Sequence, residues 1–260
     1  MSVLSTTIFK YFMSWLHTLY QLKQQLTFTP PLQNQTVDYD AYWEVRRGKK
    51  MGTLNVYQQD RVDWIKSRIA DGDSVMDLGC GDGSTLQALQ AYLSIDAVAV
   101  EFSDRSIQHL QEVGLKTICC DLRDEVAIEA LPQADHLLLL EVLEHLPQPE
   151  EFLHKILPKA RQSVIFSFPN TGYLSYRLRL LFGRFPVQWR LHPGEHLRFW
   201  TYADLQWWLN ELELAQQAEI GVYQGFSQLN QWWPNLFGAA LICQIKRPCN
   251  YEHATSLGAT

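Results

Sequence analysis

Gly79, Gly81 and Gly83 alternate directly after the apolar pair Val75-Met76 and the acid Asp77, and Leu86, Leu89 and Leu93 then recur at helical spacing. A strand that breaks into glycines and re-forms as a helix offers bare backbone for a flat ligand, with a helix N-terminus above it. That is a site for a nucleotide-type molecule. A dinucleotide fingerprint needs its third glycine three positions after the second, and Ser84 holds that place here because the third glycine, Gly83, comes one position early. The spacing favours a different ligand, for which Asp77, Gly79, Cys80, Gly81 and Gly83 are the nearest groups.

Two later runs also end in acids. Asp96 to Glu101 is a short strand pattern whose terminal carboxylate suits a ribose diol, and Lys116 to Cys120 runs into Asp121-Leu122. In an open parallel sheet the carboxyl ends of the strands line the ligand crevice, so Asp77, Glu101 and Asp121 are expected to converge. The continuous apolar run Asp135 to Leu140 leads into Glu141-Val142-Leu143-Glu144-His145-Leu146-Pro147. An imidazole takes a proton near neutral pH with little adjustment, which makes His145 a candidate base; the alternative is a side chain that caps its loop. His196, just before Phe199-Trp200-Thr201, is the second candidate.

With these residues in view, the chain resembles the class I S-adenosylmethionine-dependent methyltransferases. The resemblance implies S-adenosyl-L-methionine bound by Asp77, Gly79, Cys80, Gly81, Gly83, Glu101, Phe102, Asp121, Leu122 and Glu141, with Asp121 accepting from the adenine amino group. The other reading of Asp121 is a cap on the next helix. The segment at Glu141–Pro147 resembles the strand-four loop of small-molecule methyltransferases, between cofactor and acceptor, and His145 is there the first base. From Tyr39 to Leu212 the chain is similar to methionine biosynthesis protein MetW and its relatives, most specifically from Phe168-Pro169-Asn170 through Tyr173, Arg177, Gly183-Arg184 and Pro186-Val187. It departs from MetW in its Glu-Val-Leu-Glu-His-Leu segment and in His192-Pro193-Gly194-Glu195-His196. A MetW-like methyltransferase of a small acceptor is therefore expected, with a non-catalytic regulatory partner of a biosynthetic enzyme as the alternative.

The elements that must position these groups follow from periodicity and punctuation. The expected fold class is α/β, a Rossmann-like, mostly parallel sheet with an antiparallel C-terminal strand and helices on both faces. Helices are expected at about Tyr57–Ile69, Asp104–Val113, Pro149–Ala160 and Tyr202–Leu212. Further strands are expected at Ser163–Phe168, Glu219–Val222 and Gly238–Ile245. Asp135–Leu140, with its four consecutive leucines, belongs at the sheet centre. Ahead of the first strand, Tyr42, Trp43 and Arg46 are lid candidates by resemblance, or aromatics covering a sheet edge. Between Asn170 and Gly194 lie Arg177, Arg179, Arg184 and Arg190 and no acid. If this stretch is helical, Arg177 and Arg184 share a face and could grip an anionic acceptor; otherwise the arginines form a solvated face. Tyr42, Arg46, Asn170, Arg177 and Arg184 are thus the substrate-binding candidates. The paired tryptophans Trp207-Trp208 and Trp232-Trp233 are assigned to packing.

The 260 residues, 47% apolar, suit one domain spanning 38–247, with an N-terminal extension at 1–37, a basic cover at about 170–198 and a tail at 248–260. A net charge of −6 and a pI near 5.7 argue against general nucleic-acid binding. The five cysteines form no Cys-x-x-Cys pair, which points to a reducing, cytoplasmic setting and no structural zinc, and methyl transfer as such requires no metal. In the extension, Ile8, Phe12, Trp15, Leu19 and Leu22 fall on one helix side, interrupted by too many polar residues for a signal peptide or a spanning helix. It is expected to dock on its own domain or a partner subunit, or to lie on a membrane surface.

Overall fold

The computed structural model describes residues 15–16, 18–20, 22–24, 26–28, 51–186, 188 and 196–247. Tyr42, Trp43, Arg46, Arg190 and the tail after Arg247 lie outside them.

A seven-stranded sheet carries the site, in the order β3-β2-β1-β4-β5-β7-β6. Its strands are β1 (Ser74–Leu78), β2 (Asp96–Glu101), β3 (Lys116–Cys119), β4 (Ala134–Leu140), β5 (Ala160–Pro169), β6 (Ala218–Gly225) and β7 (Gly238–Lys246). The first five run parallel, and β7 runs antiparallel to both neighbours. The expected mostly parallel sheet with a reversed C-terminal strand is what forms. β4 lies between β1 and β5, and its leucines alternate: Leu137 and Leu139 pack with Met76, Phe166 and Phe168 on one face, Leu138 with Val75, Ile165 and Ile242 on the other. An unbroken apolar run is the pattern of a strand covered on both sides.

Helices cover both faces. On the Val75 face lie α1 (Val56–Ile65), α2 (Ser84–Tyr92) and α3 (Asp104–Glu112), through Val62, Ile65, Leu86, Leu89 and Leu110. α1 starts at a capping box in which Asn55 and Gln58 satisfy each other's backbone amides, and it stops at Ile65, short of the expected Ile69. α4 (Glu125–Glu129) follows β3, and its cap is Asp124, not Asp121. α5 (Pro149–Ile156) begins with proline and two glutamates, and it ends in His154 and Lys155, the charge order that the helix dipole favours. After β5 come α6 (Leu174–Leu181) and then α7 (Tyr202–Glu211), capped by Thr201 and Asp204.

The tryptophan pairs, assigned to packing, are buried to different extents. Trp208 is buried and donates its indole N–H to Glu150 at 2.8 Å, whereas Trp207 is 61% and Trp232 74% exposed, with Trp233 also on the surface. A helical neighbour of a core residue faces away by about 100°, so Trp207 cannot point inward beside Trp208, while Trp232 and Trp233 pack on each other and on Phe237 at the surface.

The described part of the N-terminal helix docks on its own domain. Thr18 donates to the Gly225 carbonyl at 3.0 Å, Trp15 meets the Phe226 ring edge at 5.2 Å, and Leu22 packs beside Tyr173 and Tyr176. Arg179, buried, closes the end of this segment by donating to the carbonyls of Leu26 and Phe28. Leu19, expected inward, is exposed together with Leu16 and Tyr20, because Thr18 takes the contact face. No helix among the described residues is long and apolar enough to cross a membrane.

Candidate active site

The sheet order reverses between β1 and β4, and an open α/β sheet binds ligands at such a switch point, beyond the carboxyl ends of the strands. The glycine turn lies there. Gly79, Gly81 and Gly83 have φ values of 75°, 60° and 68°, the left-handed region that costs other residues energy. Gly83 is doubly fixed, since a Cβ there would come within 2.5 Å of Leu110 and 2.7 Å of Leu115. At Gly79 a Cβ would meet Val142 at 2.9 Å and Leu122 at 3.7 Å, so the loops after β4 and β3 rest on the turn.

Glu101 ends β2 with its carboxylate buried against this turn. One oxygen accepts the N–H of Gly81 at 2.9 Å, and the other accepts those of Phe102 at 2.8 Å and Ser103 at 3.2 Å. The acid predicted for a ribose diol therefore also holds the turn in shape. Asp77 is 2% exposed, and its Oδ1 has no hydrogen-bond partner among the described residues. Burial pushes its carboxyl up to about 7, with Arg61 opposing and Glu101 and Asp82 reinforcing the rise. The Cys80 thiol is likewise raised, first by burial and then by Asp77, Glu101 and Asp82, so it stays protonated. Asp121 lies at the end of β3 and pairs with Arg123, whose Nη2 is 2.7 Å away; this hydrogen bond is the main reason its carboxyl is held below the usual range.

Glu141 turns the chain out of β4 at φ 62°, a strained value for a glutamate. Its Oε1 accepts from Ser167 at 3.0 Å and Tyr223 at 3.3 Å and pairs with Arg61 at 3.1 Å. Sequence reasoning missed Arg61, Ser167 and Tyr223. A signal existed for Arg61, which shares the spacing of Gln58, Val62 and Ile65 on the buried face of α1, a place where an arginine needs a buried anion. Asp82 was also missed: it accepts from Ser84 N–H at 3.2 Å and Gly52 N–H at 3.2 Å, fastening the lead-in chain to the glycine turn.

His145 and His196 meet across 51 residues of sequence. Their ring centroids are 4.8 Å apart and perpendicular. His145 closes a short 3-10 turn (Leu143–His145), while the Glu144 carbonyl accepts from Leu197 at 2.7 Å and Arg198 at 3.1 Å. A parallel bridge between Asn170 and Trp200 then ties the His196 arm to the end of β5.

The remaining substrate-binding candidates are placed as follows. Asn170 is fully buried and its amide donates to Gly238 at 2.7 Å, so it positions the segment after β5. Arg177 lies on α6 and donates to the carbonyls of Gly172 at 2.6 Å and Asn235 at 3.3 Å. α6 stops at Leu181 and Gly183 turns at φ 73°, so Arg184 follows the helix and does not continue its face.

Sheet order, glycine turn and strand-end carboxylates together define a class I S-adenosylmethionine-dependent methyltransferase fold. The chain belongs to the methionine biosynthesis protein MetW family, whose model matches residues 59–245. It is 29% identical over 191 residues to the ubiquinone biosynthesis O-methyltransferase of Stutzerimonas stutzeri, covering 70% of this chain and 81% of that one. It is 27% identical over 184 residues to the bifunctional methionine biosynthesis protein MetXA/MetW of Rhodopirellula baltica, covering 65% of this chain and 28% of that protein. Among solved structures, a SAM-dependent methyltransferase from Archaeoglobus fulgidus superposes with a TM-score of 0.58 at 16% identity, over 81% of this chain and all of the other.

The site fits S-adenosylmethionine. The Asp77 oxygen without a hydrogen-bond partner among the described residues could accept from its ammonium group, the Glu101 carboxylate ends the next strand, and the glycines leave room over the turn.

Proposed function

We propose that this chain transfers a methyl group from S-adenosylmethionine to a hydroxyl oxygen of a small acceptor, with His145 and His196 activating that oxygen. The carrying observation is that His145, on the loop that rests through Val142 on the glycine turn, meets the ring of His196 from a distant segment with centroids 4.8 Å apart. The name of the ubiquinone O-methyltransferase relative supports oxygen as the acceptor atom. When bound, S-adenosylmethionine supplies an electrophilic methyl group on sulfur. The protein aligns the acceptor with it, excludes water and eases loss of the acceptor's proton. Asp77, Gly79, Cys80, Gly81, Gly83, Glu101, Phe102, Asp121, Leu122 and Glu141 are proposed to surround the cofactor. Arg184, with Tyr42 and Arg46, is proposed to meet an anionic group on the acceptor, and Asn170 and Arg177 to shape that side. Stabilisation of the fold by S-adenosylmethionine and not by NAD tests the cofactor assignment. Stabilisation by NAD alone would overturn it.

Glu101→Ala is expected to weaken S-adenosylmethionine about ten- to a hundredfold, since hydrogen bonds to a carboxylate contribute about 1.5–3 kcal/mol. Calorimetry on the folded variant checks this, and unchanged affinity removes the ribose assignment. Because Glu101 also holds the N–H of Gly81, a lower melting temperature is expected with it.

Asp77 makes binding pH-dependent. An acid whose folded pKa is raised favours the fold while protonated, so its contribution to the stability of the ligand-free protein declines as pH rises from the ordinary carboxylate value of 3.8 to about 7. A cationic ligand prefers the ionised form, so affinity should rise with pH through about 7 and binding should release a proton. Calorimetry in buffers of different ionisation enthalpy measures that proton. The same release from Asp77→Asn would contradict the assignment.

The regulatory reading is favoured by one observation, the fusion of a MetW portion to MetXA in the Rhodopirellula relative. It predicts cofactor binding without turnover. The exposed row Leu16, Leu19 and Tyr20 is proposed to contact a membrane surface peripherally in a cytoplasmic protein. Vesicle co-sedimentation of Leu19→Glu against the unaltered chain tests that contact, and equal sedimentation would exclude it.

A further inference from the structure

We infer that Glu144, His145 and His196 hold a divalent first-row transition-metal cation beside the cofactor turn. One carboxylate oxygen of Glu144 and one nitrogen from each imidazole lie within 4.8 Å of one another. Metal–ligand bonds of about 2.1 Å at the tetrahedral angle place donors about 3.4 Å apart, so the widest pair must close by up to about 1.4 Å to complete the set. Both histidines are half-buried, and side-chain rotation supplies such a shift. The backbone is already fixed, since the Glu144 carbonyl accepts from the two amides that follow His196. The geometry thus holds without an ion and needs only side-chain adjustment to receive one.

Charge points the same way. Glu144 is 1% exposed, and a buried carboxylate needs compensating positive charge. Arg61 acts on it electrostatically but also serves Glu141, by a salt bridge, and Asp77. A dication at the imidazoles adds charge where Arg61 is shared. Two imidazoles and one carboxylate suit Zn²⁺, Co²⁺, Fe²⁺ or Mn²⁺ better than Mg²⁺ or Ca²⁺, and three protein donors leave positions open for an acceptor oxygen. The sequence alone hid the site because its ligands stand 51 residues apart and include no cysteine.

The inference deepens the methyltransferase reading and rests on it for its catalytic role. The cation binds the acceptor hydroxyl and lowers its pKa, so the proton leaves to solvent. As the O–CH₃ bond forms, the S–CH₃ bond breaks and its electron pair stays on sulfur. His145 and His196 then act as neutral ligands, and activation by a free imidazole base is replaced by activation at the ion.

Equilibrium dialysis of the chelator-stripped full chain against Co²⁺, with metal analysis and visible absorption, tests the site without any turnover. One ion per chain with nitrogen–oxygen ligation is expected, and His196→Ala should weaken it at least about tenfold while S-adenosylmethionine binding persists. His196 is half-buried, so this variant is expected to fold; Glu144→Gln is the second. No bound Co²⁺, or equal binding by both folded variants, overturns the inference and returns the histidines to the role of free bases. Bound Co²⁺ in a chain that fails to bind S-adenosylmethionine upholds the ion and defeats the methyltransferase reading instead.

Discussion

Gly81→Val is expected to abolish S-adenosylmethionine binding. Gly81 takes φ 60°, which a β-branched side chain adopts only under strain, and its N–H is one of the three that Glu101 accepts. A valine would both place methyl groups over the turn and tilt the amide away from the carboxylate, so the cofactor loses its space and its acid together. Gly81→Ala should give an intermediate loss, because the strain remains while most of the bulk is gone. Calorimetry checks both, with circular dichroism to show that the sheet persists. Normal binding by a folded Gly81→Val would mean that the turn is only structural, and the cofactor site would have to lie elsewhere.

His145→Ala is expected to lower turnover about a hundred- to ten-thousandfold while leaving cofactor affinity within a few fold. The separation follows from position: the imidazole faces His196 at 4.8 Å, whereas the glycine turn is touched by Val142 of the same loop. The loop backbone is secured by the Glu144 carbonyl, so removing the ring should not move the turn. Turnover within a few fold of the unaltered chain would make His145 a loop residue without a chemical role. A parallel loss of cofactor affinity would show instead that the variant disturbs the turn.

Much of the fold was legible because local chemistry and tertiary position agree. The β4 leucines announced a central strand, and the acids Asp77, Glu101 and Asp121 stand at or just beyond the ends of β1, β2 and β3 as their spacing suggested. What the sequence concealed was mostly pairing at long range. Nothing local says that Glu101 closes on Gly81, or that Arg61 reaches Glu141 across 80 residues. His196 could be named as a candidate, but its meeting with His145 depends on the backbone bonds from Leu197 and Arg198 to Glu144. The arginines after β5 illustrate a different gap. Their charge suggested a ligand, yet Arg177 and Arg179 donate to backbone carbonyls and help hold the N-terminal segment and the loop before β7. An arginine offers five donors, and composition cannot tell whether a carbonyl or an anion takes them.

Methyl transfer is tested most directly by incubating the purified chain with methyl-labelled S-adenosylmethionine and a small-molecule extract, followed by separation of the products. Label is expected on the oxygen of a small acceptor, with one S-adenosylhomocysteine formed for each methyl group moved and both lost in His145→Ala. S-adenosylmethionine that binds tightly but yields neither product would contradict methyl transfer and leave the chain as a ligand-binding regulator.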